Sequence, residues 1–247
     1  PEDVNRAVQA AKTAFKSWKK LSVNQRAQYL IKAADLLESK LDEFAQAESR
    51  DQGKPVGLAK RMDIPRAVLN LKAFATGQCH LLETSNELVE AGVINYTKRS
   101  PVGVAGLIAP WNLPLYLLTF KIGPALMAGC TVVCKPSEMT TVTAWMLCKI
   151  FQEVGLPNGV LNLVCGLGSK AGQALVEHPD VKVISFTGST KVGKHIAQVA
   201  GPMMKRLSLE LGGKNPALVF KDARLDQAVP TLIRAAFLNQ GEICLCT

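Results

Sequence analysis

The sequence has few aromatic residues and no continuous basic run, and both features bear on nucleic-acid binding. Aromatic residues make up 6% of the 247 residues. The net charge is +9, but the 29 lysines and arginines are spread along the chain beside apolar or acidic neighbours, as in "AKTAFKSWKK". Proteins that bind single-stranded nucleic acid combine a basic groove with aromatic stacking platforms. We therefore expect no nucleic-acid partner and assign the positive charge to solvated helix faces and an anionic cofactor or substrate.

Histidine is scarce and the cysteines form no pairing pattern, which argues against a metal site and a disulfide framework. The three histidines, His80, His178 and His195, have no zinc-binding spacing with any cysteine pair. Seven cysteines is an odd number at irregular spacing, which is typical of a reducing compartment. The opening "PEDVNRAVQAAKTAF" is charged and amphipathic, unlike a signal peptide. We expect a cytoplasmic, metal-free protein, although a first residue other than Met leaves open a start further upstream.

One long stretch lacks charge altogether, residues 101–120, "PVGVAGLIAPWNLPLYLLTF". It has the length of a membrane span. Pro110, Asn112 and Pro114 interrupt it, however, and each would break a membrane helix or leave a polar group unpaired in lipid. We interpret the stretch as a buried strand that ends in a turn, and we expect no membrane insertion.

Hydrophobic periodicity predicts helices in the first 80 residues and a different element after them. Apolar residues recur at helical spacing from Val4 to Trp18 and again after residue 30. Ser22 with Gln25 three residues later predicts a capping box at the start of the second helix. Residues 87–99, "ELVEAGVINYTKR", alternate in polarity and predict an exposed, half-buried antiparallel element.

Beyond residue 100, short apolar runs alternate with helical segments. The runs are "VGVAGLIAP", "GCTVVCKPS", "GVLNLVCG", "VKVISFTG" and "NPALVFKD", and segments such as "TTVTAWMLCKIFQEVG" separate them. This alternation, with strands apolar on both faces, predicts an α/β fold whose parallel sheet is covered on both sides. Ligands bind beyond the carboxyl ends of the strands in such sheets, so the residues that follow each run are candidates for a site.

Two glycine-rich junctions and the last cysteines are ambiguous when each is taken alone. "GLGSKAG" spaces its glycines one residue off the usual dinucleotide fingerprint, and a plain strand-to-helix turn explains it equally well. "FTGSTKVGK" places Gly188, Ser189 and Gly193 at a strand–helix junction, where free N–H groups favour a phosphate. Cys244 and Cys246 in "NQGEICLCT" are either thiols presented by a glycine turn or small buried hydrophobic residues.

Five motifs together carry a specific resemblance. "PWNLP", "KPSE", "FTGST", "LELGGKNP" and "NQGEIC" follow one another in the order and approximate spacing of the aldehyde dehydrogenase superfamily. The resemblance covers the whole chain, and segments such as "PWNLPLYLLTFKIGPA" are most similar to the muconic semialdehyde branch. It implies NAD-dependent oxidation of an aldehyde, of the muconic semialdehyde type, to the carboxylic acid. It also implies a homo-oligomer.

The resemblance further implies a division of the chain. Residues 1–81 and 100–212 would form a Rossmann-like, doubly wound NAD-binding domain, with residues 82–99 as a bridging hairpin for oligomerisation. Residues 213–247 would begin a second α/β catalytic domain. Because family members extend beyond both ends of this sequence, we expect a fragment of such an enzyme or a truncated product. The alternative function is a catalytically inactive nucleotide-binding or interaction module.

The resemblance assigns three catalytic residues. Cys244 matches the nucleophile, whose thiolate adds to the aldehyde to give a thiohemiacetal, and Cys246 would line the pocket. Asn112 matches the side-chain amide that donates to the oxyanion together with the backbone N–H of Cys244. Glu210 matches the base that activates water for hydrolysis of the thioester. Its leucine neighbours lead us to expect apolar surroundings for the carboxylate.

Lys135 and Glu138 resemble the residues that bind the adenine ribose of the cofactor. The lysine would hydrogen-bond the ribose and the glutamate would accept from its 2′-hydroxyl. Because a carboxylate at this place repels a 2′-phosphate, the resemblance favours NAD over NADP.

The remaining candidates contact the pyrophosphate or the substrate. Trp111 and Ser189 resemble pyrophosphate contacts, and Gly188 and Gly193 would let helix and phosphate approach each other. Arg66, in "DIPRA", is a candidate for the carboxylate of a muconic semialdehyde because a guanidinium binds carboxylates in a bidentate way. A plain helix-surface arginine explains Arg66 equally well.

Overall fold

The structure, a computed structural model, describes residues 1–246 as an α/β molecule with one five-stranded parallel sheet and a separate hairpin. The helices are α1 (Glu2–Trp18), α2 (Val23–Ser39), α3 (Leu41–Gln52), α4 (Val56–Leu58), α5 (Ile64–Gly77), α6 (Pro114–Met127), α7 (Val142–Glu153), α8 (Gln173–Glu177), α9 (Thr190–Ala200) and α10 (Leu225–Phe237). The strands are β1 (Ser85–Leu88), β2 (Val93–Tyr96), β3 (Val104–Ile108), β4 (Thr131–Lys135), β5 (Leu161–Leu163), β6 (Val181–Gly188) and β7 (Arg206–Leu211).

The helices of the first 80 residues form where the apolar spacing predicts them. The capping box at the start of α2 is confirmed: the Ser22 hydroxyl accepts from the Gln25 N–H at 3.2 Å, and the Gln25 side chain accepts from the Ser22 N–H at 2.8 Å. α1 packs on the sheet. The Thr131 hydroxyl at the start of β4 donates to the Ala11 carbonyl of α1 at 2.9 Å.

The centre of the parallel sheet is covered on both faces, as the apolar runs predict. All residues of β3 and β4 are buried. Alternate β3 residues enter two different core clusters, Ala105 and Leu107 with α2, α5 and α6, and Val104 and Ile108 with α1 and α9. The Rossmann-like, doubly wound arrangement expected from the sequence is therefore confirmed.

The strand order β5-β4-β3-β6-β7 fixes where a ligand can bind. From β3 the chain adds β4 and then β5 on one side, and afterwards adds β6 and β7 on the other side. The connections that leave β3 and β6 therefore run in opposite directions. Such a reversal opens a crevice beyond the carboxyl ends of the two strands.

The hairpin forms and is exposed, but it has no half-buried face. β1 and β2 pair antiparallel, which confirms the predicted element type. All eight of their residues are exposed, so the predicted exposure is confirmed and the predicted half-burial is wrong. The alternation of polar and apolar residues indicates a strand with one polar and one apolar face. Within residues 1–246 no other element covers either face.

One predicted strand is absent. "NPALVFKD" has the composition of a buried strand, yet residues 212–220 lie outside any strand, and Leu218 and Phe220 are 79% and 72% exposed. The prediction is wrong because no neighbouring strand among the described residues pairs with this segment. β7 was not among the apolar runs, since its leucines alternate with polar residues and only one of its faces meets the core.

The uncharged stretch 101–120 is a strand, a bend and a helix. β3 is followed by a bend around Asn112, and α6 begins at Pro114. Proline suits this first helical position because its missing N–H would have no partner in the helix. Among residues 1–246 no helix combines the length and the apolar character required to cross a bilayer.

Candidate active site

Polar residues collect at the carboxyl edge of the parallel sheet. Lys135 ends β4 and lies opposite Ile108 of β3, which in turn lies opposite Phe186 of β6. Glu210 of β7 lies opposite Thr187, one residue further along the same edge. Asn112 and Ser189 follow β3 and β6. The parallel register therefore brings candidates from four strands to one edge.

Asn112 is bonded to the loop that carries Cys244. Its side-chain amide donates to the carbonyl of Glu242, two residues before the cysteine. In return, the side-chain amide of Asn239 donates to the Asn112 carbonyl at 3.0 Å. Asn239, Gln240 and Gly241 have φ angles of 51°, 62° and 77°, and these left-handed residues turn the loop back toward Asn112. The structure thus brings the expected oxyanion donor and the expected nucleophile loop together.

Cys244 is exposed, and its backbone touches the segment that follows Glu210. Its carbonyl accepts from the Asn215 side-chain amide at 3.1 Å, and a Cβ placed on Gly213 would lie 3.4 Å from the same oxygen. Cys246 is half-buried, with its sulfur 3.6 Å from the Leu238 carbonyl. The exposed thiol of Cys244 is therefore the more accessible of the two.

Glu210 is more open to solvent than its leucine neighbours suggested, although it lines a pocket with apolar side chains such as Phe74 and Phe120. Leu209 and Leu211 pack on the core face of β7, whereas Glu210 points to the opposite face and is exposed. On that face lies Lys121 of α6, whose ammonium donates to the Ser185 hydroxyl at 3.1 Å. Burial lowers the pKa of Lys121 to about 8, and the Glu210 carboxylate opposes this shift. The leucines next to Glu210 in the sequence therefore do not indicate its exposure, because successive side chains point to opposite faces of a strand.

Lys135 and Glu138 meet at the carboxyl end of β4. Lys135 is only 2% exposed. Its ammonium donates to the Pro136 carbonyl at 3.0 Å and to the Glu138 carboxylate at 3.3 Å. The pKa of Glu138 is lowered, first by a hydrogen bond from the backbone of Glu138 itself and then by the Lys135 ammonium. The glycine turn after β5 packs on the lysine stem, since a Cβ on Gly172 would lie 3.7 Å from Lys135 Cδ. An ammonium beside a partly exposed carboxylate offers a donor and an acceptor, which fits a ribose diol.

The residues after β6 are engaged within the protein. Ser189 caps α9 by accepting from the Val192 N–H at 3.3 Å. A Cβ on Gly188 would clash with the Phe186 ring, and a Cβ on Gly193 would clash with the Leu211 side chain. Internal packing thus accounts for both glycines. Their proposed place beside a phosphate stays a prediction.

Trp111 and Arg66 lie near the Asn112 turn. Trp111 is 46% exposed within the bend. Arg66 is exposed on α5, with its guanidinium carbon 5.3 Å from the centre of the Tyr116 ring in the first turn of α6. This contact places the arginine beside the turn that follows Asn112. Both readings of Arg66, substrate ligand and surface residue, remain open.

Sequence reasoning missed a set of buried charges beneath Asn112. Lys54 and Asp63 form a fully buried ion pair of 2.6 Å, and the lysine also donates to the Asn112 carbonyl at 3.1 Å. Glu48 is completely buried as well, and burial raises its pKa to about 7. The only sequence signal is that Glu48 falls on the apolar stripe of α3, four residues after Phe44. From the sequence alone, a charged residue in a helical segment is expected to lie on a solvent-exposed face.

The profile described as "Aldehyde dehydrogenase family" matches residues 1–247. This chain belongs to the aldehyde dehydrogenase family. It is 55% identical to 2-aminomuconic semialdehyde dehydrogenase of Homo sapiens over 246 residues, which cover 100% of this chain and 50% of that protein. It is 46% identical to 2-hydroxymuconic semialdehyde dehydrogenase of Pseudomonas sp. (strain CF600), covering 99% of this chain and 51% of that protein.

A solved structure of the family shares the fold. The NAD+ complex of an aldehyde dehydrogenase from Bacillus cereus is similar with a TM-score of 0.96 and 40% identity, over 99% of this aldehyde dehydrogenase chain and 50% of that chain. The chain therefore spans about half the length of the curated relatives that it matches.

Proposed function

We propose that this chain carries the catalytic residues of an enzyme that oxidises an aldehyde to a carboxylic acid with NAD. One observation carries the proposal. The Asn112 amide is bonded within two residues of Cys244, and the segment that follows Glu210 meets the backbone of the same cysteine. These contacts support a grouping of the proposed nucleophile and oxyanion donor, with the proposed base just before the segment that meets the cysteine.

In the proposed reaction the Cys244 thiolate attacks the aldehyde carbon, and the carbonyl oxygen becomes an oxyanion. An asparagine amide has two N–H groups. One of those of Asn112 binds Glu242, which leaves the other for the oxyanion beside the N–H of Cys244. NAD, when bound, would accept the hydride that leaves the carbon, and the carbon would remain bound to Cys244 as a thioester. Glu210 then takes a proton from the water that attacks the thioester, which releases the carboxylic acid and the free thiol.

The residues present fit NAD. Lys135 and Glu138 would hold the adenine ribose, and the carboxylate would disfavour a 2′-phosphate. The amino end of α9, capped by Ser189, would receive the pyrophosphate with Trp111. The NAD+ complex of the similar Bacillus cereus enzyme supports this proposal.

For the substrate, we propose an aldehyde that carries a carboxylate, of the muconic semialdehyde type. Two relatives have muconic semialdehydes in their names, and Arg66 lies beside the turn that follows Asn112. A fixed guanidinium suits a carboxylate because it can donate two parallel hydrogen bonds. We also propose a homo-oligomer, with the exposed hairpin as one contact.

The matched variants Cys244→Ala and Cys246→Ala test the proposed function in the natural gene product. Following NADH absorbance with a series of aldehydes, we expect Cys244→Ala to abolish turnover and Cys246→Ala to keep most of it. Calorimetry should show a nearly unchanged NAD affinity in both variants, because neither thiol is proposed as a cofactor ligand. Loss of turnover in Cys246→Ala alone would move the nucleophile to that residue.

A second candidate is a nucleotide-binding module without catalysis. The observation that favours it is the contrast between the two halves of the site. Lys135 ends a strand whose residues are all buried and pairs with Glu138 three residues later, whereas Cys244 lies on an exposed loop. NAD binding by the natural gene product without turnover of any aldehyde would support this candidate over the first.

A further inference from the structure

The buried ammonium of Lys54 reaches the backbone of the Asn112 turn. It donates to Asp63 at 2.6 Å and to the Asn112 carbonyl at 3.1 Å, and both ion-pair side chains are fully buried. The position of Lys54 is itself fixed. α3 ends at the left-handed Gly53, with a φ of 90°, and the Ser49 hydroxyl donates to the Lys54 carbonyl at 2.6 Å.

Glu48 holds the same turn from its other end. One of its carboxylate oxygens accepts from the N–H of Leu115 at 3.2 Å, and the other accepts from the Thr143 hydroxyl of α7 at 2.7 Å. Leu115 is in the first turn of α6, where the backbone N–H groups have no partner within the helix. A carboxylate is favourable at such a helix start. Glu48 therefore ties the residue three positions after Asn112 to α3 and α7.

A buried ion pair is by itself weak evidence for stability. Oxygen Oδ2 of Asp63 is buried and has no hydrogen-bond partner among the described residues. A buried pair stabilises a fold only when its geometry is good and its remaining lone pairs are satisfied. The Lys54 ammonium also donates a hydrogen bond to the main-chain carbonyl of Asn112 in the site. This arrangement is better explained by a need to hold that carbonyl.

We infer that Lys54 and Glu48 are positioning residues that fix the backbone from the carbonyl of Asn112 to the N–H of Leu115 and so orient the Asn112 amide toward the oxyanion. The inference rests on the proposed function of Asn112. Neither residue touches the reacting atoms. Both act through the turn, because the direction of the Asn112 side chain follows from the backbone that Lys54 and Glu48 hold.

A double-mutant cycle in the natural gene product tests this inference. Lys54→Met with Asp63→Leu removes both charges of the pair, and such replacements are often neutral for folding. We expect kcat to fall about 10- to 100-fold, as for a misplaced catalytic donor, with KM and NAD affinity nearly unchanged. In an Asn112→Ala background the same pair of changes should cause no further loss of kcat, because the amide that Lys54 orients is then absent.

Lys72→Met is the matched control. It removes an exposed lysine that pairs with Asp35 and Glu38 on the surface of α2, and kcat should not change. If the double variant does not fold, Lys54→Arg keeps a cation beside Asp63 while displacing the Asn112 carbonyl, and the same cycle is measured with it. An unchanged kcat, or an equal loss in the Asn112→Ala background, overturns the inference while the proposed function stands. A wild-type protein that oxidises no aldehyde overturns both.

Discussion

At the residue scale, Glu210 lies where water can reach it. Its carboxylate is exposed at the carboxyl end of β7, on the face opposite to Leu209 and Leu211. A base that activates water for thioester hydrolysis needs such access, whereas hydride departure from the thiohemiacetal does not involve it. The position of Glu210 therefore suits the second half of the proposed reaction.

We expect Glu210→Gln to slow thioester hydrolysis more than hydride transfer, because glutamine cannot take a proton from water. In a stopped-flow experiment with the natural gene product, NADH should appear in a burst that is stoichiometric with enzyme, followed by a slow phase. Glu177→Gln, at an exposed position in α8, is the control and should leave both phases unchanged. A variant with neither burst nor turnover would place Glu210 earlier in the mechanism.

Glu48 should make the stability of the fold depend on pH. Burial raises its pKa from 4.5 to about 7, so the folded state binds its proton more tightly than the unfolded state. The stabilisation that this proton brings is complete below about pH 4.5 and is lost as the pH rises toward 7. The expected loss in unfolding free energy is about 3 kcal/mol.

Glu48→Gln should flatten this dependence, since a glutamine accepts from Leu115 and donates to Thr143 without titrating. Urea unfolding at pH 5 and pH 7.5 measures the difference. Glu43→Gln changes an exposed carboxylate on the same helix and should leave the slope with pH unaltered. An unchanged slope in Glu48→Gln would show that Glu48 is not the titrating group.

At the element scale, α9 approaches β7 closely because Gly193 has no side chain. A Cβ there would clash with Leu211, which lies next to Glu210. The glycine thus sets the distance between the helix proposed to bind the pyrophosphate and the strand that carries the proposed base. Packing of this pair links the two halves of the site.

Gly193→Ala should lower the unfolding free energy by about 1–3 kcal/mol through overpacking. Chemical denaturation measures the loss, and adding Leu211→Ala should restore part of the stability by opening space. Gly77→Ala is the control, because a Cβ at Gly77 meets no atom within 4 Å. Equal stability of Gly193→Ala and Gly77→Ala would contradict the clash.

The elements also show what sequence can and cannot predict. β3 and β4 were predictable because burial on both faces leaves a continuous apolar run, and most of β6 follows the same pattern despite the exposed Lys182. "NPALVFKD" has the same pattern and forms no strand, since pairing depends on a neighbour that a local pattern does not contain. Asn112 and Lys135 could be found from motifs at strand ends. Lys54 could not be found, because its partners Asp63 and Asn112 are joined to it only by the fold.

At the scale of the whole molecule, α10 and the hairpin present apolar surface to solvent. Leu225, Val229, Ile233 and Phe237 recur every four residues on α10, and each is at least 49% exposed. Ile94 and Tyr96 of the hairpin are 66% and 71% exposed. Contiguous apolar patches of this kind mark surfaces that bind other protein or associate.

We therefore expect the 247-residue chain to self-associate in solution. Sedimentation velocity over a range of concentrations should show species larger than a monomer. The triple change Val229→Gln, Ile233→Gln and Phe237→Gln should reduce this association, whereas Leu69→Gln, at an exposed position on α5, should not. A monodisperse monomer at all concentrations would contradict the expectation.

The strand order also decides how the sheet can grow while the ribosome is still making the chain. Among the described residues β3 is the first strand of this sheet to be synthesised, and it lies at the centre of the five. β4 then joins β3, β5 joins β4, β6 joins the free edge of β3, and β7 joins β6. Each of these four later strands pairs with a strand that precedes it in the sequence, so none of the five has to wait for another of them. Addition from the amino end can therefore keep pace with translation.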